Sequence, residues 1–268
     1  MKRFSFVLVA SIVFLGVVLG SAGAQSDNPL ETPVKLLVPE VIAVVDHDPA
    51  AFTQGVLLYD GSLYESTGRY GESTLREVDP ATGEVLRSID IPEEYFAEGL
   101  ERVDDTLIQL TWKAGVAFVY DLATFEQVDT FEYEGEGWGL CSDGEYLYMS
   151  NGSPFLELRD LETFELVFSG LVTLQGRPVQ NINELECVGD YVYANVWMTD
   201  YILQIDKTNG VVVAVIDTTG ALLSEEEAAT LGEQQVLNGI AYNPDSDTFL
   251  ITGKQWPKMF EVRFVESE

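Results

Sequence analysis

The chain has 268 residues, of which 46% are hydrophobic and 22% charged, enough for one large domain with a substantial core. Its formal charge of −31 excludes nucleic-acid binding through phosphates, which needs a basic surface. A single histidine, His47, rules out the usual histidine-rich zinc sites. We interpret the excess of acidic residues as a solubilising surface rather than as a site for a charged partner.

The first 24 residues have the pattern of a secretory signal peptide. Lys2 and Arg3 precede an uncharged apolar run over residues 4–19, and Ala22-Gly23-Ala24 is a small-residue cleavage pattern. We therefore expect a secreted or periplasmic protein. The alternative is an uncleaved membrane anchor, because the run is slightly long for a signal peptide. If the signal is cleaved, no stable membrane partner is expected, since no other stretch approaches the length of a membrane span.

Residues 25–39 contain three prolines and are predicted to be a linker. The folded domain is expected over residues 40–268. It begins with an apolar run at residues 41–45 that reads as a buried strand and precedes the first full repeat.

A short pattern recurs five times along this domain, at intervals of roughly 40–55 residues. Each copy has one variable side chain, then a small or apolar residue, and then a short strand that ends in a turn. The copies are Gln54-Gly55-Val56-Leu57, Glu98-Gly99-Leu100-Glu101, Trp138-Gly139-Leu140-Cys141, Glu184-Leu185-Glu186-Cys187 and Asn238-Gly239-Ile240-Ala241. A repeat of this length with several short strands predicts a β-propeller.

The ends of the repeat array indicate how the ring closes. The fifth repeat ends without a fourth strand, and the run at residues 41–45 can fill that place and remove an exposed edge. The sequence Ser224-Glu225-Glu226-Glu227 is a capping box, and Gly232 is a plausible C-terminal stop, so a short helix is predicted there. The predicted fold is an all-β, five-bladed β-propeller with its last blade completed by the N-terminal strand and a short helical insertion between blades four and five.

Equivalent positions of a propeller surround its axis, so the first residue of every copy should lie at one mouth of the channel. These residues are Gln54, Glu98, Trp138, Glu184 and Asn238. Each has a structural alternative: the tryptophans could be packing residues, and Glu98 could be a carboxylate bonded to backbone amides.

Seven ordered motifs resemble the plant and bacterial (papaya-type) glutaminyl cyclase family, from about residue 41 to residue 264. They are Phe52-Thr53-Gln54-Gly55, Tyr95-Phe96-Ala97-Glu98-Gly99-Leu100, Gly137-Trp138-Gly139-Leu140, Asn183-Glu184-Leu185-Glu186, Ala194-Asn195-Val196-Trp197, Val236-Leu237-Asn238-Gly239-Ile240-Ala241 and Gly253-Lys254-Gln255-Trp256-Pro257-Lys258. Asn151 departs from the family, whose members tend to carry Asp in that turn.

The resemblance implies a five-bladed propeller that converts the N-terminal glutamine of peptides or proteins to pyroglutamate and releases ammonia. It implies Glu98 as the catalytic general acid and base. It also implies a substrate pocket formed by Phe52, Gln54, Phe96, Trp112, Trp138, Asn183, Trp197 and Lys254. No metal ligand or cofactor is required by this scheme, although a structural Ca²⁺ in the channel is compatible with it. We expect a monomer.

Two other classes remain open. Propeller lactonases and related hydrolases use a channel Ca²⁺ held by Glu, Asn and Asp, and a non-catalytic binding propeller is the third possibility.

The two cysteines, Cys141 and Cys187, occupy the same offset in adjacent repeats. They either pair in an oxidising compartment or remain two buried thiols, because a matching offset does not fix the Cα separation below about 7 Å.

Overall fold

The structure is a computed structural model that describes residues 33–267. The predicted signal peptide and the first part of the predicted linker lie outside the described residues. Within the described range the chain is almost entirely β, with one short helix. The elements are β1 Lys35–Asp46, β2 Thr53–Tyr59, β3 Ser62–Thr67, β4 Thr74–Val78, β5 Val85–Asp90, β6 Ala97–Val103, β7 Thr106–Thr111, β8 Val116–Asp121, β9 Gln127–Glu132, β10 Leu140–Ser142, β11 Tyr146–Met149, β12 Phe155–Asp160, β13 Leu166–Leu171, β14 Thr173–Leu174, β15 Arg177–Pro178, β16 Ile182–Val188, β17 Tyr191–Val196, β18 Tyr201–Asp206, β19 Val212–Asp217, α1 Glu225–Ala228, β20 Leu237–Asn243, β21 Thr248–Gly253 and β22 Lys258–Glu266.

The strands form antiparallel sheets arranged around a closed ring. Strands β2–β5, β6–β9 and β10–β13 each make a four-stranded sheet, and an eight-stranded sheet has the order β16-β17-β18-β19-β1-β22-β21-β20. The first strands of the three four-stranded sheets and the two end strands of the eight-stranded sheet contact one another in turn. They form a ring that runs from β2 through β6, β10, β16 and β20 back to β2. Apolar side chains fill the space between neighbouring sheets, as where Leu57 and Leu75 pack with Leu107. None of the described helices is long and apolar enough to cross a membrane.

Glycines of the recurring pattern let the innermost strands approach one another. A Cβ added at Gly55 would lie 2.6 Å from the backbone nitrogen of Leu100, and one at Gly99 would lie 2.7 Å from that of Leu140. A Cβ at Gly139 would lie 2.1 Å from the carbonyl oxygen of Asn183. Since any side chain would push these backbones apart, the glycine of the repeat is the residue that allows the ring to close.

Strand β1 closes the chain on itself. It pairs antiparallel with β22 between Leu37 and Asp46, and its first residues pair in parallel with β19. The predicted linker boundary at residue 39 is therefore wrong, because the strand begins at Lys35. In the sequence Pro39 is typical of a linker. In the structure, pairing of β1 with β19 stops at Leu37, so one side of the strand is unpaired at the proline. A backbone N–H is not needed on that side, and proline is therefore tolerated.

A disulfide links two of the sheets, and the predicted helix is present but shorter than expected. Cys141 and Cys187 form a disulfide that links β10 to β16, which settles the alternative that the sequence left open. Helix α1 is a single turn with Ser224 as its N-cap, and the side chains of Ser224 and Glu227 each accept from the backbone amide of the other. The helix ends at Ala228, four residues before the predicted stop at Gly232, and the chain continues as a loop to β20.

His47, which directly follows β1, forms a buried ion pair with Glu65 of β3. Nδ1 of His47 lies 2.7 Å from the carbonyl oxygen of Trp256, and Nε2 lies 3.0 Å from Oε1 of Glu65. The same carboxylate oxygen accepts from the hydroxyl of Thr53 at 2.7 Å. Both ring nitrogens face acceptors, so the geometry favours the doubly protonated imidazolium. Burial lowers the pKa of His47, but the ion pair and hydrogen bond with Glu65, the hydrogen bond to Trp256 and the charge of Asp48 together leave that pKa raised.

We expect this imidazole to stay charged to a higher pH in the folded protein than in the unfolded chain. Because the pKa of His47 is raised on folding, the stabilisation is complete below the unfolded pKa, about 6.5, and is lost as the pH rises through the folded pKa. The chain has one histidine, so a single imidazole resonance can be followed by NMR against pH. The urea-unfolded protein supplies the reference titration. A folded midpoint at or below the unfolded one would contradict the charged pair.

Candidate active site

A cavity of about 350 Å³ opens at the end of the ring where the innermost strands begin. Its volume is at the lower end of the range of small-molecule sites. Its lining is mostly aromatic, with a few polar groups. The lining residues are Phe52, Gln54, Phe96, Glu98, Trp112, Trp138, Asn183, Trp197, Gln234 and Lys254.

The structure brings all nine residues of the predicted catalytic and substrate-binding set to this cavity. Two other residues that the repeat predicts at the same mouth do not line it. Glu184 accepts from the backbone amides of Ile240 at 2.9 Å and Val56 at 3.4 Å, and so bridges inner strands inside the ring. Asn238 lies behind the cavity wall, where its amide donates to the carbonyl oxygen of Thr53.

The pairing register explains the position of Glu184. The register shifts between Ala97 and Leu100 on β6, and at the matching places on β16 and β20. Such a bulge places extra residues on one strand and changes the direction of nearby side chains. Within this shifted segment Asn183 holds the place of Glu98, whereas Glu184 holds the place of Gly99, so Asn183 faces the cavity.

Aromatic rings form two sides of the cavity. On one side Phe96 packs edge-on against Phe52 and Trp112, with ring centroids 6.3 and 5.6 Å away. On the other side Trp138 and Trp197 meet edge-on at 5.7 Å. Gly68 makes room for the first group, since a Cβ there would lie 2.2 Å from the ring of Phe96. Two sides of the cavity are therefore walled by apolar rings.

Glu98 supplies the carboxyl group of the cavity. Its residue is 5% exposed, and within residues 33–267 its carboxyl makes no hydrogen bond to protein. Burial raises its pKa well above the ordinary value, Lys254 opposes that rise, and the negative charge of Glu136 adds to it. Burial likewise lowers the pKa of Lys254 to about 8, against the influence of Glu98. Groups perturbed in this way in a cleft are typical of catalytic sites.

Two side-chain amides of the cavity are oriented by their neighbours. Nζ of Lys254 donates to Oε1 of Gln54 at 2.6 Å, which leaves Nε2 of Gln54 as the donor on the cavity side. Nδ2 of Asn183 donates to Oδ1 of Asn238 at 2.8 Å, which leaves Oδ1 of Asn183 as an acceptor. Within the described chain neither of these two remaining atoms has a side-chain or backbone partner. One donor and one acceptor match a primary carboxamide.

Sequence reasoning missed two residues at the cavity. Oε2 of Glu136 accepts from the indole nitrogens of both Trp112, at 2.8 Å, and Trp138, at 3.0 Å, so one oxygen holds both rings. Gln234 reaches the rim from the loop that follows α1. Neither residue occupies a position of the repeat, and only the proximity of Glu136 to Trp138 in sequence could have indicated it.

The predicted departure from the family at Asn151 lies outside the cavity. Its side-chain amide donates to Glu157 at 3.1 Å and its side-chain oxygen accepts from the backbone of Ser153, so it supports a surface turn. Over residues 33–267, no three His, Cys, Asp or Glu side chains are grouped in a way that suits a metal ion.

Comparisons with known proteins agree with this geometry. The model of the family described as "Glutamine cyclotransferase" matches residues 11–264. A glutaminyl-peptide cyclotransferase of Arabidopsis thaliana is 37% identical over 99% of this chain and 85% of its own length. The crystal structure of Myxococcus xanthus glutaminyl cyclase superimposes with a TM-score of 0.82 at 37% identity, over 88% of this chain and all of that one.

Glu136 provides a test of how the aromatic wall is held. Glu136→Ala removes the acceptor of two indoles, and hydrogen bonds to charged groups contribute about 1.5–3 kcal/mol; at this partly exposed site we expect about 1 kcal/mol of unfolding free energy to be lost. Tryptophan emission should also change, because two of the four tryptophans lose their partner. Urea unfolding and fluorescence measure both effects.

The controls separate the bond from the charge. Glu136→Gln keeps an acceptor oxygen and should change the emission less than Glu136→Ala. Glu134→Ala alters an exposed acid of the same loop and should change neither quantity. Unchanged emission and stability in Glu136→Ala would show that this carboxylate does not hold the rings.

Proposed function

The chain belongs to the glutamine cyclotransferase family. We propose that this protein converts the N-terminal glutamine of peptides and proteins to pyroglutamate and that Glu98 transfers the protons in the reaction. In this reaction the α-amino nitrogen bonds to the γ-carboxamide carbon of the same residue, and the bond from that carbon to the amide nitrogen breaks. A proton leaves the attacking nitrogen and one reaches the departing nitrogen, which is released as ammonia.

The proposal rests on one observation. The buried carboxyl of Glu98 shares a cavity sized for one side chain with an oriented donor on Gln54 and an oriented acceptor on Asn183. Nε2 of Gln54 can donate to the carboxamide oxygen, and Oδ1 of Asn183 can accept from its NH₂ group. A carboxylate would meet the acceptor of Asn183 unfavourably, so the arrangement favours glutamine over glutamate.

The raised pKa suits Glu98 for both proton transfers. A catalytic acid or base works best when its pKa lies near the operating pH, and burial moves the pKa of Glu98 upward in that direction. The ionised carboxyl takes the proton of the attacking amine, becomes a neutral acid, and gives the proton to the leaving nitrogen. Glu98 thus ends in the state in which it began.

Lys254 stabilises the charge that develops during the attack. Negative charge accumulates on the carboxamide oxygen, and the ammonium of Lys254, joined to Gln54, places a positive charge and a directed donor on that side. The donors are fixed before the substrate enters, so little reorganisation is needed. Because this lysine is 4% exposed, its charge is poorly screened by water.

The aromatic walls position the substrate. The reaction is intramolecular, so the main requirement is to fold the glutamine side chain toward its own amine. Trp112, Trp138 and Trp197 surround the space where this side chain would lie. By excluding water they also prevent simple hydrolysis of the carboxamide.

The finer features of fold and location belong to the same proposal. The closed ring of innermost strands supports a five-bladed propeller whose last blade is completed by β1, with α1 inserted between blades four and five. The N-terminal signal pattern and the disulfide support secretion or a periplasmic location. We further propose that the protein acts as a monomer and that cyclisation requires no metal, while a structural Ca²⁺ remains compatible with it.

The Glu98→Gln variant tests the catalytic assignment. It keeps the shape of the side chain but cannot carry the proton, so kcat for a glutamine-initiated peptide should fall by about 10²–10⁴-fold with little change in substrate binding. Mass spectrometry should show loss of one ammonia per peptide with the unaltered protein. Glu184→Gln, which changes a buried carboxyl outside the cavity, should affect stability more than kcat. A kcat of Glu98→Gln within tenfold of that of the unaltered protein would refute the role of Glu98 in proton transfer.

A chelator distinguishes the cyclase from a metal-dependent hydrolase. Cyclisation should persist in excess chelator as long as circular dichroism shows the fold intact. Immediate loss that added Ca²⁺ reverses, without a change in the folding signal, would argue for a metal mechanism. Lactone hydrolysis without ammonia release would favour the lactonase class, and binding without turnover would favour a binding propeller.

A further inference from the structure

The cavity mouth has a polar edge that the chemistry above does not use. On this edge Arg69 follows β3, and Gln234 and Gln255 follow α1 and β21. Oε1 of Gln255 accepts from Nη2 of Arg69 at 3.0 Å and from Nε2 of Gln235 at 3.4 Å. The three segments are thereby tied into one rim, beside Phe52 and Lys254 of the cavity.

Arg69 is held in place but keeps free donors. Its guanidinium carbon lies 4.7 Å from the centre of the Phe52 ring, so the side chain is stacked on the cavity wall. Its backbone is fixed by Ser73, whose hydroxyl accepts from the amide of Arg69 and donates to its carbonyl oxygen. Within the described chain it forms no ion pair, and its one hydrogen bond leaves most of its five N–H donors unused.

The loop carrying Gln234 is anchored on the same side. The indole of Trp256 donates to the carbonyl oxygen of Gln235 at 2.9 Å, and Lys258 pairs with Glu227 of α1. Gln234 itself lines the cavity, and over residues 33–267 its side-chain amide has no protein hydrogen bond. A donor and acceptor are therefore presented at the rim, one residue from Gln235, which is linked through Gln255 to Arg69.

The opposite edge is already satisfied by its own partners. Glu136 accepts from two indoles, and Lys113 lies 3.6 Å from the same carboxylate and 3.8 Å from the centre of the Trp112 ring. Both of these charged side chains therefore already have partners. Polar groups able to bind something further are thus concentrated at Arg69 and Gln234.

A peptide substrate must cross this mouth. The cavity of about 350 Å³ suits one residue, and Glu98 lies buried within it, so the chain after the N-terminal glutamine has to leave over the rim. The first groups that it presents there are main-chain carbonyl oxygens, which are acceptors. Arg69 offers charged donors, which make stronger hydrogen bonds to acceptors than neutral ones do.

We propose that Arg69 and Gln234 form a subsite for the residues that follow the N-terminal glutamine, and that they hydrogen-bond its main-chain carbonyl oxygens. This inference rests on the proposed cyclase activity. The subsite makes the enzyme favour peptides over glutamine derivatives that end after the first residue. Because the recognised groups are main-chain atoms, the preference does not depend on which side chains follow.

A series of uncharged substrates tests the subsite. Glutamine amide, Gln-Ala-amide and Gln-Ala-Ala-amide differ by one alanine residue each, which adds one main-chain carbonyl, one N–H and one methyl group. With the unaltered protein, kcat/KM should rise with length by about tenfold, the effect of one hydrogen bond to a charged donor at a partly exposed site. Arg69→Met, which keeps a stem to stack on Phe52, should abolish most of this gain through KM and leave glutamine amide unaffected. Gln234→Ala should reduce the gain by less.

Arg102→Met is the matched control. Arg102 stacks on Tyr59 at 3.9 Å, as Arg69 stacks on Phe52, but it lies at the other end of β6 from Glu98. This variant should retain the full gain with length. The subsite would be overturned if Arg69→Met lowered kcat/KM equally for all three substrates. It would also be overturned if kcat/KM of the unaltered protein did not rise with substrate length.

Binding measurements separate the subsite from the cyclase. The Glu98→Gln variant is expected to bind substrate with little change and to turn it over slowly, so calorimetry in that background compares glutamine amide with Gln-Ala-Ala-amide. Arg69→Met should weaken binding of the longer peptide alone, and an equal effect on both would overturn the inference. Absence of cyclisation of any glutamine substrate by the unaltered protein would contradict the proposed function, while this comparison would still decide the subsite.

Discussion

The close approach of the innermost strands is the constraint on which the rest of the structure depends. Gly55, Gly99 and Gly139 bring backbone against backbone, and Glu184 bonds across the ring to two further strands. A ring this tight has no wide channel, so bulged strand ends are forced together at one mouth. The residues there become buried without being fully bonded to one another, and that condition produces a cavity lined by unused polar atoms.

Burial in this cavity then sets the chemistry. A glutamate in water would be fully ionised at neutral pH and a poor match for an amine, whereas the pKa of Glu98 is raised by its surroundings. The same burial lowers the pKa of Lys254 to about 8, and the two groups moderate each other. One packing arrangement therefore provides a base, an electrostatic partner and a dry site, while Glu136 holds the tryptophan wall from behind.

The sequence was sufficient for the repeat, the all-β fold and the residues at the cavity, because the repeat marks where each inner strand begins and the motifs supply the aromatic positions. It was insufficient where tertiary contacts decide. Asn183, and not Glu184, holds the place on its strand that Glu98 holds on β6, and the bulged register that fixes this has no clear signal in a single sequence. The strand at Lys35 was hidden by Pro39, which is tolerated because that side of β1 is unpaired. Gln234 arrives on an insertion that follows no periodicity.

The pH dependence of kcat/KM in the unaltered protein and in Glu136→Gln tests most directly whether burial tunes Glu98. The account predicts an acid limb well above the ordinary glutamate pKa of about 4.3, since Glu98 must be ionised to accept the amine proton. Because the negative charge of Glu136 raises the pKa of Glu98, its removal should move this limb to lower pH, while the pKa of the substrate amine stays the same. A limb at the ordinary glutamate value, or one that does not move in Glu136→Gln, would contradict the account.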